Sequence, residues 1–177
     1  MAKYFFWFIA IVLFYVLINE ITGILNIFYP KVEILLTVLF AAMIIALDLN
    51  KTYLSFGCYL AFIAVFLLFR RRPENNFNFE FYLWKWFKII KSNRTVFINI
   101  FGNLLLFIPV LFYVKGRYNL AIAFGLIFLF EILQFITWRG VFDIVDIFLN
   151  ASGVIIAEII GLLNVFFRAN NHERRAV

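Results

Sequence analysis

Residues 99–150 read NIFGNLLLFIPVLFYVKGRYNLAIAFGLIFLFEILQFITWRGVFDIVDIFLN. Within these apolar runs sit Asn99, Asn103, Glu131, Gln134, Arg139, Asp146 and Asn150, with Asp143 three residues ahead of Asp146. A charged side chain in hydrocarbon costs about 2.5–3.5 kcal/mol on insertion scales, so such groups face a bundle interior or a watery cavity. The clustering of so many polar groups in one stretch places the candidate activity there.

The rest of the chain agrees with a membrane setting. Of its 177 residues 66% are hydrophobic and its mean hydropathy is +0.99, whereas a soluble domain is about 45–50% apolar. The length allows one transmembrane domain and little else. The 26 phenylalanines read as the codon usage of an AT-rich bacterial genome. The net charge is +6, but the basic residues flank apolar runs instead of forming a soluble patch. They report orientation and contact with anionic headgroups, and nucleic acid is not an expected partner. Cys58 is the single cysteine, so no intrachain disulfide can form. Lys3 precedes an apolar run from Tyr4 to Ile18, and no small-residue cleavage site follows in Asn19-Glu20-Ile21-Thr22. That segment reads as a retained first helix and not as a signal peptide.

Apolar windows predict helices at about 4–26, 32–48, 53–69, 96–114, 118–137 and 145–167, each near the roughly 17–25 residues of a span. The fold class expected is all-α, a polytopic membrane bundle of five or six transmembrane helices plus an interfacial amphipathic helix. The chain divides into N-terminal transmembrane helices (1–69), a basic interfacial segment (70–95), a core of three helices (96–167) and a charged tail (168–177). In the interfacial segment Phe79, Tyr82, Leu83, Trp86, Phe87 and Ile90 recur at helical spacing, with Lys85, Lys88 and Lys91 between them. Aromatics on one side and lysines on the other describe an anchor on the bilayer surface, or a lid that guides a headgroup into the bundle. With six spans the basic residues divide seven to nine between the two sides, the larger group including Arg70, Arg94 and Arg139. That division gives only a slight preference for cytoplasmic termini.

The polar set has an internal order. Asn99 and Asn103 are four apart and share a helix face. Pro109, further along, frees a backbone carbonyl for a neighbouring donor. Glu131 lies deep enough to need a partner or a proton, and Arg139 is the candidate partner, about two turns away. Asp143, Asp146, Asn150 and Gly153 follow at helical steps, and Ala157 and Gly161 extend the stripe. It is polar at its start and small at its end, where small residues permit close packing. Glu158 points away from it and is a separate lead. The lone histidine, His172, lies in the charged tail and is expected to be solvated.

Three uses of this set remain open. The charges can neutralise one another and hold the fold. Arg139 can bind a phosphate or carboxylate while Asn99, Asn103, Gln134 and Asn150 orient a ligand. Or Glu131, Asp143 and Asp146 can catalyse, as acid or base or by holding a divalent cation through hard oxygen ligands. No Walker loop and no nucleophile elbow is present in the sequence. Paired broken helices and inverted repeats, the marks of a transporter, are not visible either.

The ordered pieces Asn99-x3-Asn103-x3-Phe107-x-Pro109, Glu131-x2-Gln134 and Arg139-x3-Asp143-x2-Asp146-x3-Asn150-x2-Gly153 resemble the VanZ-like family of bacterial membrane proteins. They cover about a third of the chain, and the segment from Asn75 to Lys91 looks like the family's aromatic stretch. The chain departs from the pattern at Leu111, where the family usually has glycine, and lacks the usual proline in the aromatic stretch. The resemblance implies a multi-pass protein of the bacterial cell membrane associated with resistance to teicoplanin and related glycopeptides. The partner expected is a membrane lipid or a lipid-linked cell-wall precursor. A non-catalytic structural or interaction protein of the cell envelope is the alternative. Neither reading sets the oligomeric state.

Overall fold

In the computed structural model the described residues are 2–71 and 76–175, with side chains described up to 163. Among them the apolar runs fold as α1 (Ala2–Leu25), α2 (Val32–Asp48), α3 (Thr52–Leu68), a short α4 (Leu83–Ile89), α5 (Arg94–Leu106), α6 (Pro109–Tyr113), α7 (Asn119–Ile136) and α8 (Ile144–Arg175). Four stretches are long and apolar enough to cross a membrane, namely Lys3–Leu25, Arg94–Tyr113, Asn119–Ile136 and Ile144–Leu163. Helix α3 is a shorter apolar helix of 17 residues. The charged tail expected at 168–177, His172 included, lies where side chains are outside the described residues.

Turn chemistry explains the short connections. After α2, Asn50 adopts φ 56°. The Asn50 and Lys51 amides then return to the Leu47 and Ala46 carbonyls at 3.0 and 2.8 Å. This is a Schellman turn with asparagine, a residue that tolerates the left-handed region, in the place where glycine is commonest. It folds α2 and α3 into a packed hairpin. Between α1 and α2, Asn26 and Lys31 are the left-handed residues.

The proline acts as its sequence position suggests, but through a different pair of atoms from a simple kink. Helix α5 stops at Leu106 and α6 restarts with Pro109 in its first turn. Across the break the Val110 amide bonds the Phe107 carbonyl at 3.1 Å, which leaves the Leu106 carbonyl free of its helical donor. The Tyr59 hydroxyl on α3 donates to it at 2.5 Å. Around this junction Tyr59, Ile63, Leu67, Phe107, Val110, Ala123, Ile127, Phe130 and Val154 form the largest buried cluster. At the opposite end of α1, Lys3 pairs with Asp48.

Helices α5 and α8 approach most closely at Gly153. A Cβ built there would overlap the Leu104 backbone carbonyl. The small stripe read from the sequence therefore works at Gly153 and not at Gly161, where a Cβ meets nothing within 4 Å. Beside this contact a second cluster (Leu83, Val96, Ile100, Val145 and Leu149) packs α4 against α5 and the start of α8.

Four irregular segments meet at one end of the bundle. Phe28 bridges Arg70, and the Arg71 amide bonds the Ile27 carbonyl at 2.7 Å. A two-residue parallel ladder joins β1 (Phe77–Asn78) to β2 (Phe142–Asp143). Neither pairing was visible in the sequence. Together they bring the ends of α1, α3 and α7 beside the starts of α2 and α8.

Replacing Gly153 by alanine is expected to push α8 off α5 and destabilise the protein by about 1–3 kcal/mol, the usual cost of overpacking. Gly161→Ala is expected to be neutral or slightly stabilising, since alanine is the better helix former by about 1 kcal/mol. Thermal unfolding of the two variants in detergent checks the contrast.

Candidate functional site

The meeting of these segments encloses a cavity of about 210 Å³ lined by Ile27, Arg70, Tyr82, Trp86, Asn99, Gln134, Arg139, Gly140, Val141, Asp143 and Asp146. Five of the eight polar residues singled out in the sequence line it: Asn99, Gln134, Arg139, Asp143 and Asp146. The other three stand behind the wall. Asn103 donates to Asp146 Oδ1 at 2.6 Å. Asn150 donates from Nδ2 to the Asp146 backbone carbonyl at 2.8 Å, and its buried Oδ1 has no partner among the described residues. Glu131 is 5% exposed, and its Oε2 is also buried without a hydrogen-bond partner there.

Arg139 does not pair with Glu131, contrary to the sequence expectation. Its Nη1 donates to the Tyr29 hydroxyl at 3.0 Å and to the Arg70 carbonyl at 2.7 Å, and the guanidinium lies 5.5 Å from the centre of the Tyr29 ring. The reason is the turn that ends α7. Trp138 takes φ 58°, and the Trp138 and Arg139 amides bond the Phe135 and Gln134 carbonyls at 3.2 and 2.9 Å. This Schellman turn reverses the chain, so Arg139 points back along the cavity wall instead of continuing the helix toward Glu131. A bulky residue in the left-handed region is strained, and it holds here because the two hydrogen bonds and a close packing partner fix the turn. A Cβ on Gly140 would stand 2.9 Å from Gln134 Oε1.

The cation near Glu131 and Asp146 is instead Arg70, whose charge acts on both carboxylates. The sequence reading counted Arg70 only as an orientation signal. A usable clue was present: in the six-span count Arg70, just after the last apolar residues of α3, falls in the same group as Arg139.

Asp143 is the hub of the polar wall. Its Oδ1 accepts the Val145 amide at 2.8 Å, which caps the N-terminus of α8. Its Oδ2 accepts Asn78 Nδ2 at 3.1 Å and the Tyr82 hydroxyl. The carboxylate thus joins β1, the start of α4 and the start of α8. Burial, and then the Asp143 carboxylate, push the Tyr82 phenol above its ordinary range, so it stays a neutral donor. In the aromatic segment, Leu83 is buried and Tyr82, Trp86 and Ile90 pack against the same cluster, while Trp84 and Phe87 are exposed. Phe77, Phe79 and Phe142 stack over the β ladder, with ring centroids 5.8–6.3 Å apart.

The cavity therefore holds two arginines and two aspartates, with aromatic rings on one wall. Glu131, Asp143 and Asp146 were the candidates for holding a divalent cation. Among the described residues no three His, Cys, Asp or Glu side chains come together as a metal-holding group.

Tyr82→Phe removes a hydrogen bond to a charged acceptor, of a kind that contributes about 1.5–3 kcal/mol. Faster hydrogen exchange of residues 77–90 is the expected result. A raised phenol contributes fully below its unfolded value near 10 and is lost only as pH rises through the higher folded value. The protection factors of these amides in the intact protein, taken relative to the base-catalysed intrinsic rate, should therefore hold at mildly alkaline pH. Trp138→Gly relieves a left-handed strain of about 1–2 kcal/mol and should retain or raise the unfolding temperature, a change readable in the same detergent assay.

The model of the VanZ/LLP1 family matches residues 34–166. No curated protein and no solved structure matches the chain.

Proposed function

This chain belongs to the VanZ/LLP1 family, and from that premise we propose that it is a multi-pass protein of the bacterial cell membrane that holds a lipid headgroup in the cavity at one end of its bundle, and thereby lowers susceptibility to teicoplanin and related glycopeptides. The observation that carries this reading is the Arg139 guanidinium on the cavity wall. Its Nη1 is committed to Tyr29 and Arg70, which fixes the plane of the group. Among the described residues no partner engages Nη2 or Nε, so one edge of a rigid fork is left for a phosphate or carboxylate. Asn99 and Gln134 orient the bound group from the same wall.

The size of the cavity limits what it takes. At about 210 Å³ it is smaller than the roughly 300–1,000 Å³ of sites that enclose a whole small ligand. It suits a headgroup, not a saccharide-peptide. The tail has a place as well. An apolar groove of about 540 Å³ runs between α1 and α5 along Ile24, Ile98, Gly102 and Leu105, and the same stretches of chain supply Ile27 and Asn99 to the polar cavity. In this reading α2 and α3 are short spans, giving six crossings. Helix α4 lies at the interface, with Trp84 and Phe87 toward lipid and Lys85 and Lys88 at headgroup level.

A second reading, a purely structural role, draws on Asn103 and Asn150, whose amides are spent on Asp146. It does not account for the open edge of Arg139. The carboxylates Glu131, Asp143 and Asp146 are read here as binding and positioning groups.

The test is susceptibility to teicoplanin and vancomycin in a sensitive Gram-positive host expressing the intact chain, Arg139→Ala, Arg139→Lys or Glu131→Gln, with membrane levels matched. The intact chain is expected to protect. Arg139→Ala should lose about tenfold or more in headgroup affinity, the equivalent of one charge-assisted hydrogen bond, and with it the protection. Full protection by Arg139→Ala at equal membrane level would overturn the headgroup role.

A further inference from the structure

Among the described residues the cavity wall carries charges of both signs, and this says something about the ligand. Arg70 and Arg139 face Asp143 and Asp146 around the same small volume. A purely anionic headgroup would bring its charge beside two carboxylates, and a purely cationic one beside two guanidiniums. At separations of a few ångströms such like-charge contacts are costly in a partly dry site. A group carrying both signs a short distance apart meets neither penalty.

The two aspartates are not equivalent. Asp143 has both oxygens occupied, by the Val145 amide on Oδ1 and by Asn78 and Tyr82 on Oδ2. Asp146 receives one side-chain donor, Asn103, on Oδ1. The Asn150 amide goes to its backbone carbonyl instead. Asp146 Oδ2 has no donor among the described residues, and the residue lines the cavity. Trp86 and Tyr82 line it too, and aromatic faces favour a cation nearby. An open carboxylate oxygen wants N–H donors, which a primary ammonium has and a quaternary one lacks.

Resting on the headgroup reading above, we propose that the cavity selects a zwitterionic headgroup of the phosphoethanolamine type, with its phosphate on Arg139 and its primary ammonium on Asp146 beside Trp86. Asp146 then determines specificity and Arg139 affinity.

The experiment is native mass spectrometry of the purified full chain, and of Asp146→Asn and Arg139→Ala, titrated with phosphatidylethanolamine, phosphatidylcholine and phosphatidylglycerol of identical acyl chains. The intact protein is expected to hold phosphatidylethanolamine about tenfold more tightly than either of the others, in line with one charge-assisted hydrogen bond. Asp146→Asn keeps the shape of the side chain and is expected to remove the preference while phosphatidylglycerol binding persists or rises. Should that variant not fold, displacement from the intact protein gives the same answer. Soluble phosphoethanolamine should compete for the bound lipid and glycerol 3-phosphate should not, and competition by the free compound also shows recognition of the headgroup without its tail. Equal or tighter binding of phosphatidylglycerol by the intact protein would overturn the zwitterion and leave the headgroup reading standing. A preference that persists in folded Asp146→Asn would overturn the role of Asp146. Lipid binding that is the same for all three lipids and unaffected by Arg139→Ala would remove the headgroup reading itself.

Discussion

One carboxylate holds the cavity end of this protein together. Asp143 accepts a backbone amide of α8, a side-chain amide from β1 and a phenol from the start of α4. Each bond alone is of ordinary strength, but their convergence on one group ties β1 and the start of α4, which lie 65 and 61 residues back along the chain, to the start of α8. In a bilayer the hydrophobic effect gives little drive for one helix to prefer another. Polar convergence of this kind then decides which segments sit together, and the cavity is the space left between them.

The close approach at Gly153 does the complementary work. Polar bonds choose partners, and a missing side chain lets the backbones of α5 and α8 come within contact distance of each other. Asn103 can reach Asp146 only because of that approach. The cavity wall is therefore set by a packing constraint near the middle of the helices as much as by the charges at their ends.

Much of this was legible in the sequence, and the failures share a cause. The apolar runs, the carbonyl freed near Pro109, the shared face of Asn99 and Asn103 and the tight contact at Gly153 all follow from spacing along one helix, whereas the full break between α5 and α6 within the expected 96–114 helix does not. Arg70, Tyr29 and the β ladder do not, because they depend on how three loops close over one end. The partner assigned to Glu131 was wrong for a local reason. A left-handed Trp138 carries no sequence signal of the sort that glycine gives, so the turn that redirects Arg139 was invisible. The aromatic segment was ambiguous on physical grounds. Tyr82 and Trp86 face protein while Phe87 and Trp84 are exposed, and an apolar face bound for lipid has the same composition as one bound for another helix.

The separation along the chain of Asp143 from its partners also orders events in time. Asn78 and Tyr82 leave the ribosome some sixty residues before the group that will bind them. Two apolar stretches, Arg94–Tyr113 and Asn119–Ile136, must be delivered to the membrane in between. Until then the 77–90 segment has aromatics and lysines but only α5 to rest on, without β2 and the start of α8, and the bilayer surface is the environment that accepts such a composition. The cavity is thus the last part of the molecule to come into being. A chain stopped just before residue 143 possesses seven of the eight described helices and neither of the two aspartates that line the cavity.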